Sequence, residues 1–235
     1  MGSGQGTPVS PPTFANVNIS EWYNYIWPNV PMCPNPKIKE ALIDAAREFC
    51  KATELWTKRI TDIDIVDGEP EYTVASYDGD FVSVDHFEIL GDTNYERRTV
   101  ISEIAISENP DEREDWRYQE DNPDAGWVGS SFQLRLTYVP EEDITAGLRV
   151  WLNVMPFDSA TVFPAFLWTH YREVITSGAL SSLLMMANKP WSNPDLGSAH
   201  GSGFQSEILP ARQKKFSGFV RHRTRDIITT KYTDY

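Results

Sequence analysis

Residues 36–57 read PKIKEALIDAAREFCKATELWT, and their spacing decides what kind of fold the chain builds. Ile38, Leu42, Ala45, Ala46, Phe49, Ala52 and Trp56 follow one another at offsets of 4, 3, 1, 3, 3 and 4. That is one face of a helix with 3.6 residues per turn. Lys39, Glu40, Asp44, Arg47, Glu48 and Lys51 fall on the other side. Asn35-Pro36 supplies the start, because Asn is a good N-cap and Pro is tolerated at the first helical position. The spacing predicts a helix over 36–57.

Upstream lies SEWYNYIWPNVPMCPNP, residues 20–36. Prolines at 28, 31, 34 and 36 forbid a long helix here. Trp22, Tyr23, Tyr25 and Trp27 nevertheless need to bury their faces. A short helix over 20–27, followed by an extended arm lying on the body, meets both demands. Residues 1–13 are almost all Gly, Ser, Thr and Pro. They read as a flexible arm or a remnant of expression, and 1–19 is set apart as an N-terminal arm.

Downstream the period changes to two. Thr61, Ile63 and Ile65 alternate with Asp62 and Asp64, and Asp67-Gly68 supplies a turn. Further strands are expected at 71–75, 82–90, 98–106, 131–138 and 148–154, rich in β-branched and aromatic residues. PEEDITAG (140–147) reads as a connecting loop. From Pro164 the helical period returns and runs to about 187. Asn193-Pro194 then repeats the Asn-Pro start for a helix over 194–218, weakened by Gly197, Gly201, Gly203 and the interior Pro210. The expected fold is α+β: a helical bundle of one N-terminal and two C-terminal helices, with an antiparallel sheet or sandwich inserted at about 59–155. It forms one domain over 20–218, with extended arms at the termini and 219–235 as a C-terminal extension.

Composition narrows the function. Lys+Arg is 21 against 34 Asp+Glu, a formal net charge of −13, which excludes a surface that grips nucleic acid all round. Eight Trp, ten Tyr and eleven Phe exclude a disordered chain. No apolar run approaches the ~18 residues of a spanning helix, so no membrane partner is expected, and no secretory signal is visible. Cys33 and Cys50 are too few for a disulfide scaffold and too far apart for a zinc knuckle, so two reduced thiols are expected.

The sequence contains no GxSxG, HExxH or GxxxxGK[ST] signature. His86, His170, His200 and His222 are scattered. Gly197-xxx-Gly201-x-Gly203 follows no strand and lacks the Lys and Ser/Thr of a phosphate loop. Asp62/Asp64 read as a solvated strand face and Asp78-Gly79-Asp80 as a turn. No catalytic residue, metal or cofactor is therefore expected, and the chain is read as not an enzyme. Two charged segments are the candidate contact surfaces. ENPDEREDWRYQEDNPD (108–124) holds eight acids, and Asp111, Glu112, Glu114 and Asp115 surround Trp116 and Tyr118 as anchors for a tail protein or a neighbouring copy. Arg212 to Lys231 holds seven Lys/Arg and only Asp226 as an acid. Within it, Arg221, Arg223, Arg225 and Lys231, with Tyr232 and Tyr235, are the candidate contacts of the C-terminal extension. Opposite charge on two segments of one chain favours head-to-tail association, which closes into a ring when the rotation allows.

YIWPNVPMCPNPKIKEALIDAAREFCKATELWTKRI (25–60) resembles the start of bacteriophage head-to-tail adaptor proteins, the connector or tail tubular proteins of short-tailed phages. The pattern "ALxxAAxxFCxxTxxW" falls here on Ala41, Leu42, Ala45, Ala46, Phe49, Cys50, Thr53 and Trp56. ITDIDIVDGEPEYTV is similar to the family's first hairpin. SGALSSLLMMANKPWSNPDLG (177–197) is similar to the family's "GALxxLxxxxxKPWSNPxL", continued by Phe204 and Ala211-Arg212. Residues 80–150 carry no resemblance. The resemblance implies a structural virion protein, assembled in host cytoplasm, that forms a ring of twelve copies in the neck of the particle. It implies a portal protein above, met by the helices and the C-terminal extension, and a tail, nozzle or fibre protein below. DNA would pass through the channel without specific binding. Another tail-completion or fibre-attachment protein, or a carboxylate-based hydrolase, are the alternatives.

Overall fold

The computed structural model describes residues 16–74, 79–90, 95–101, 125–128, 133–136 and 139–228. The fold is α+β, with the strands of the main sheet inserted between the second and third helices. The chain forms two compact units: Met1–Ala46 with Asp158–Glu207, and Arg47–Phe157 with Ile208–Tyr235.

The first unit opens with β1 (Asn16–Asn18), whose antiparallel partner is β9 (Val162–Pro164). Neither strand was expected, because three residues are too few to show a period. Helix α1 (Ile19–Ile26) follows, with the Asn18 side chain accepting from the Ser20 N–H at 3.5 Å. Ile19, Trp22 and Ile26 lie one turn or two apart and are buried. Of the aromatics expected to bury their faces, Trp22 is 0% exposed, whereas Tyr25 and Trp27 remain 42% and 43% exposed. After Ile26 the prolines produce successive turns rather than an extended arm. Asn29 N–H donates to Ile26 O, Val30 to Trp27 O and Cys33 to Val30 O. Val30 and Cys33 are buried by this winding.

Helix α2 (Asn35–Thr53) is the predicted first long helix, with two differences. Asn35 does not cap it; the Pro34 carbonyl accepts from Lys37 and Ile38, and Asn35 Oδ1 takes the Trp27 indole N–H at 3.2 Å. The helix also stops at Thr53 rather than 57. Glu54 adopts φ 54°, a left-handed conformation that ends a helix, and Trp56 already gives its carbonyl to Val154 in the sheet. Helices α3 (Ala165–Leu184) and α4 (Pro194–Ile228) complete the set. Here Asn193 does cap, its Oδ1 accepting from Leu196 N–H at 3.2 Å. Helix α4 passes through Pro210 and continues to Ile228, so 219–228 is helix rather than extended arm.

The second unit holds a seven-stranded sheet, β2 (Thr57–Ile65), β3 (Glu71–Thr73), β4 (Asp80–Leu90), β5 (Tyr95–Ile101), β6 (Ala125–Val128), β7 (Gln133–Leu136) and β8 (Ile144–Met155). Its order is β2-β8-β4-β5-β6-β7-β3. All neighbours are antiparallel except β5 and β6, which run parallel. Strand β8 sits between β2 and β4, and its Leu148, Val150, Leu152 and Val154 are each 0% exposed. Each such side chain contributes about 1.5–3 kcal/mol on burial. The expected loop 140–147 is half strand. Ile144–Gly147 belongs to β8, with Ala146 at φ 52° in a bulge where the register jumps between Ile63↔Leu148 and Ile65↔Ile144. Asp64 Oδ1 holds that bulge by accepting from Ala146 N–H at 2.7 Å. The predicted strand ends at 75, 102–106, 131–132 and 137–138 lie outside the described residues, as do residues 1–13.

Candidate functional site

The residues of the first resemblance motif occupy packing positions, whereas in the second Lys189, Pro190 and Leu196 are exposed. Ala41, Leu42, Ala45, Ala46, Phe49, Cys50, Thr53 and Trp56 are all buried, none more than 8% exposed. In the first unit the motifs meet. A Cβ added to Gly178 would lie 2.9 Å from the Phe204 ring and 3.0 Å from the Ala45 Cβ. The absence of a side chain at Gly178 therefore brings α2, α3 and α4 together at one point. A Cβ at Gly201 would fall 2.7 Å from Ser181 Oγ, so this glycine serves the close approach of α3 and α4 rather than a phosphate. The KPWSNP turn closes that hairpin: the Leu184 carbonyl accepts from Asn193 N–H at 2.9 Å, and Asn193 then caps α4.

Beside this hairpin, a groove of about 710 Å³ is lined by α3 from Trp168 to Ser177 and by Gly203, Ser206 and Glu207 of α4. At its edge the Arg172 guanidinium lies 4.3 Å from the centre of the Tyr25 ring and 5.1 Å from that of Trp168. Its Nη1 donates to the Tyr25 hydroxyl at 3.1 Å, while its buried Nε–H meets no acceptor among the described residues. Trp22 braces this cluster from within, edge-on to Trp168 at 5.2 Å and to Phe163 at 5.4 Å. Tyr25 is exposed and Trp168 and Arg172 are half-buried, and Trp, Tyr and Arg are the residue types that anchor protein interfaces. Sequence reasoning missed this groove; the i, i+4 pair Trp168 and Arg172 was its one legible trace.

In the second unit a polar network joins the sheet to α4. Lys215 Nζ donates to Asp85 Oδ1 at 2.7 Å and to Asn153 Oδ1 at 2.8 Å. Asn153 Nδ2 donates to Ser83 Oγ at 3.0 Å, and Ser83 gives its proton to Glu54 at 2.9 Å. The other Asp85 oxygen lies 2.8 Å from His86 Nδ1, and the His86 ring stacks on Trp151 at 4.3 Å. The hydrogen bond from His86, then the Lys215 ammonium, hold the Asp85 carboxyl well below the usual carboxylate range, against burial, which pushes it up. With the Ser83 proton spent on Glu54 and Lys215 paired to Asp85, the network is arranged to hold α4 rather than to activate a nucleophile. Arg47 similarly joins Asp80 to the Pro156 carbonyl.

The cysteines are buried free thiols, as expected from their number. Burial pushes Cys50 up to about 12, and raises Cys33 against the opposing charge of Lys37. Among the described residues no group of three or more His, Cys, Asp or Glu could hold a metal ion. One end of the sheet is strongly acidic. Asp64, Asp67, Glu69, Glu71, Glu141, Glu142 and Asp143 are exposed, and neither 60–74 nor 139–147 contains Lys or Arg. Two hydrogen bonds bind the loops together here, Gly68 N–H to Pro140 O and Asp67 N–H to Asp143 Oδ1, both 2.9 Å.

The acidic candidates Asp111, Glu112, Glu114, Asp115, Trp116 and Tyr118 lie outside the described residues, as do Lys231, Tyr232 and Tyr235. Arg221, Arg223 and Arg225 belong to the last turns of α4, and their side chains are outside the described set. No helix among the described residues is long and apolar enough to cross a membrane. The chain matches no protein-family model and no curated protein.

Proposed function

We propose that the chain is a structural virion protein, the head-to-tail adaptor of a short-tailed phage. Its copies form a ring, twelve by the resemblance, that joins the portal to the tail, nozzle or fibre protein and lines part of the DNA ejection channel. The observation that carries this reading is the meeting of Ala45, Gly178 and Phe204. Two sequence signatures separated by more than a hundred residues, each similar to the adaptor family, resolve into one packing point. The basic C-terminal segment with Arg221, Arg223, Arg225 and Lys231 is assigned to the portal, and the acidic 108–124 segment to the tail protein or a neighbour. The seven exposed carboxylates at one end of the sheet suit a wall past which DNA slides, since phosphate and carboxylate repel.

Electron microscopy of purified particles tests the assignment. We expect density for this chain as a symmetric collar under the portal. Its absence from mature particles overturns the reading, as does a collar whose lumen is walled mainly by Lys and Arg. Removing residues 219–235 is expected to abolish portal binding on native electrophoresis, while the helical circular-dichroism signal falls only by the last turns of α4 and the cooperative thermal transition is kept.

A further inference from the structure

The first unit carries two exposed features of opposite charge at different ends of one helical hairpin. In the α3–α4 groove, Glu173 and Glu207 project from facing helices, and no described residue forms an ion pair with either carboxylate. Arg172, in the same groove lining, is spent on the Tyr25 and Trp168 rings and the Tyr25 hydroxyl. At the turn joining the same helices, Lys189 is exposed and pairs with no described acid. Beside it Met185 and Leu196 are 55% and 38% exposed, apolar surface that the fold does not use. Along α3, Glu173 and the turn are separated by about 16 Å at 1.5 Å per residue, so Lys189 does not reach the groove of its own chain.

We propose that the α3–α4 turn of one copy, led by Lys189, seats in the α3–α4 groove of the next copy between Glu173 and Glu207. The occupant is a second copy of this chain, chosen by charge: one cation with apolar flanks meets two carboxylates beside Trp168 and Val174. Because knob and groove sit on different surfaces, the contact is heterologous. It repeats from copy to copy and closes into a ring when the rotation between copies allows, whereas an isologous contact stops at a dimer. Gly203, with nothing within 4 Å of a built Cβ, leaves the groove floor open for the incoming turn. The inference rests on the ring reading above and gives that ring its contact.

Sedimentation velocity of the full chain over a concentration series tests it. Lys189→Glu alone, and Glu173→Lys with Glu207→Lys, are each expected to weaken self-association by at least ~10-fold through like-charge contact. The combined variant, with knob and groove charges exchanged, is expected to recover most of the loss. A second measurement is independent of charge: Lys189→Cys with Glu207→Cys should give an intermolecular disulfide ladder under oxidation, the native thiols being buried. Reversed variants that associate like the wild type, a charge exchange that restores nothing, or double-cysteine chains that stay monomeric overturn the inference. A chain found in the particle collar despite such a result leaves the adaptor reading standing, whereas absence from particles removes that reading whatever the chain does alone.

Discussion

The two units are held by different physics. In the first, α2, α3 and α4 meet through small residues and rings: Ala45, Gly178, Gly201 and Phe204, with Trp22 against Phe163 and Trp168. From Ser177 to Ser206 the sequence has only Lys189 and Asp195 as charges. In the second, the sheet adds ion pairs that are largely out of water, with the Lys215 and Asp85 side chains only 11% and 15% exposed. Contacts of the first kind depend on shape and hardly on pH. Those of the second depend on which groups carry protons. One chain therefore contains a region that is sensitive to a methyl group and a region that is sensitive to acid.

The largest break in this contrast is expected at Lys215. Lys215→Met keeps the stem and removes the ammonium, so the mostly buried Asp85 carboxylate loses the cation paired to its Oδ1. We expect a loss of about 2–4 kcal/mol in urea denaturation at pH 7. The pH dependence should follow from Asp85. Its carboxyl titrates lower in the folded chain than in the unfolded one, so the unfolded state takes up the proton first as pH falls. The stabilisation is complete above the ordinary carboxylate value of about 3.9 and is lost progressively below it. Asp85→Asn should therefore lose less on acidification from pH 5 to pH 2 than the wild type, by about 1 kcal/mol or more. Equal slopes for the two proteins would show that Asp85 is not the sensing group.

The corresponding break in the first unit is a single methyl. Gly178→Ala gains about 1 kcal/mol of helix propensity but drives a Cβ into Phe204 and Ala45, a cost of about 1–3 kcal/mol. A net loss of about 1 kcal/mol is expected, with no change in its pH profile. Gly203→Ala provides the contrast, since its Cβ meets nothing within 4 Å. That variant should gain stability by about 0.5–1 kcal/mol. Thermal denaturation of the pair decides it: if both variants melt higher than the wild type, propensity and not packing governs these glycines.

What the sequence disclosed follows the same division. The α2 face was legible because seven apolar residues share one period, and β8 because Leu148, Val150, Leu152 and Val154 alternate. The helix end at Thr53 was not, since the apolar period runs on to Trp56 while Glu54 turns the backbone left-handed, a conformation that Glu does not announce. The glycines and Pro210 argued against α4, yet Gly197 and Gly201 are there to let α3 approach; tertiary packing overrode propensity. The groove was illegible because Glu173 and Glu207 are brought together only by the hairpin. The Asp85–Lys215 pair was equally hidden, 130 positions apart in the chain.

The smallest expected effect lies at Ala146, in the middle of the region that ion pairs and strands otherwise dominate. Its φ of 52° places an L side chain in the left-handed region, at a cost of about 1–2 kcal/mol. The Asp64 carboxylate holds the bulge by taking the Ala146 N–H, and substitution by glycine leaves that bond intact. Ala146→Gly relieves the backbone strain but adds freedom to the unfolded chain, worth about 0.5–1 kcal/mol in the other direction. The balance is a gain of about 0.5 kcal/mol, visible as a raised urea midpoint with an unchanged slope. Asp64→Ala should reverse it, because the bulge N–H then loses its acceptor. If Ala146→Gly lowers the midpoint instead, the alanine methyl is packing in the sheet and the bulge is held by its side chain as well as by Asp64.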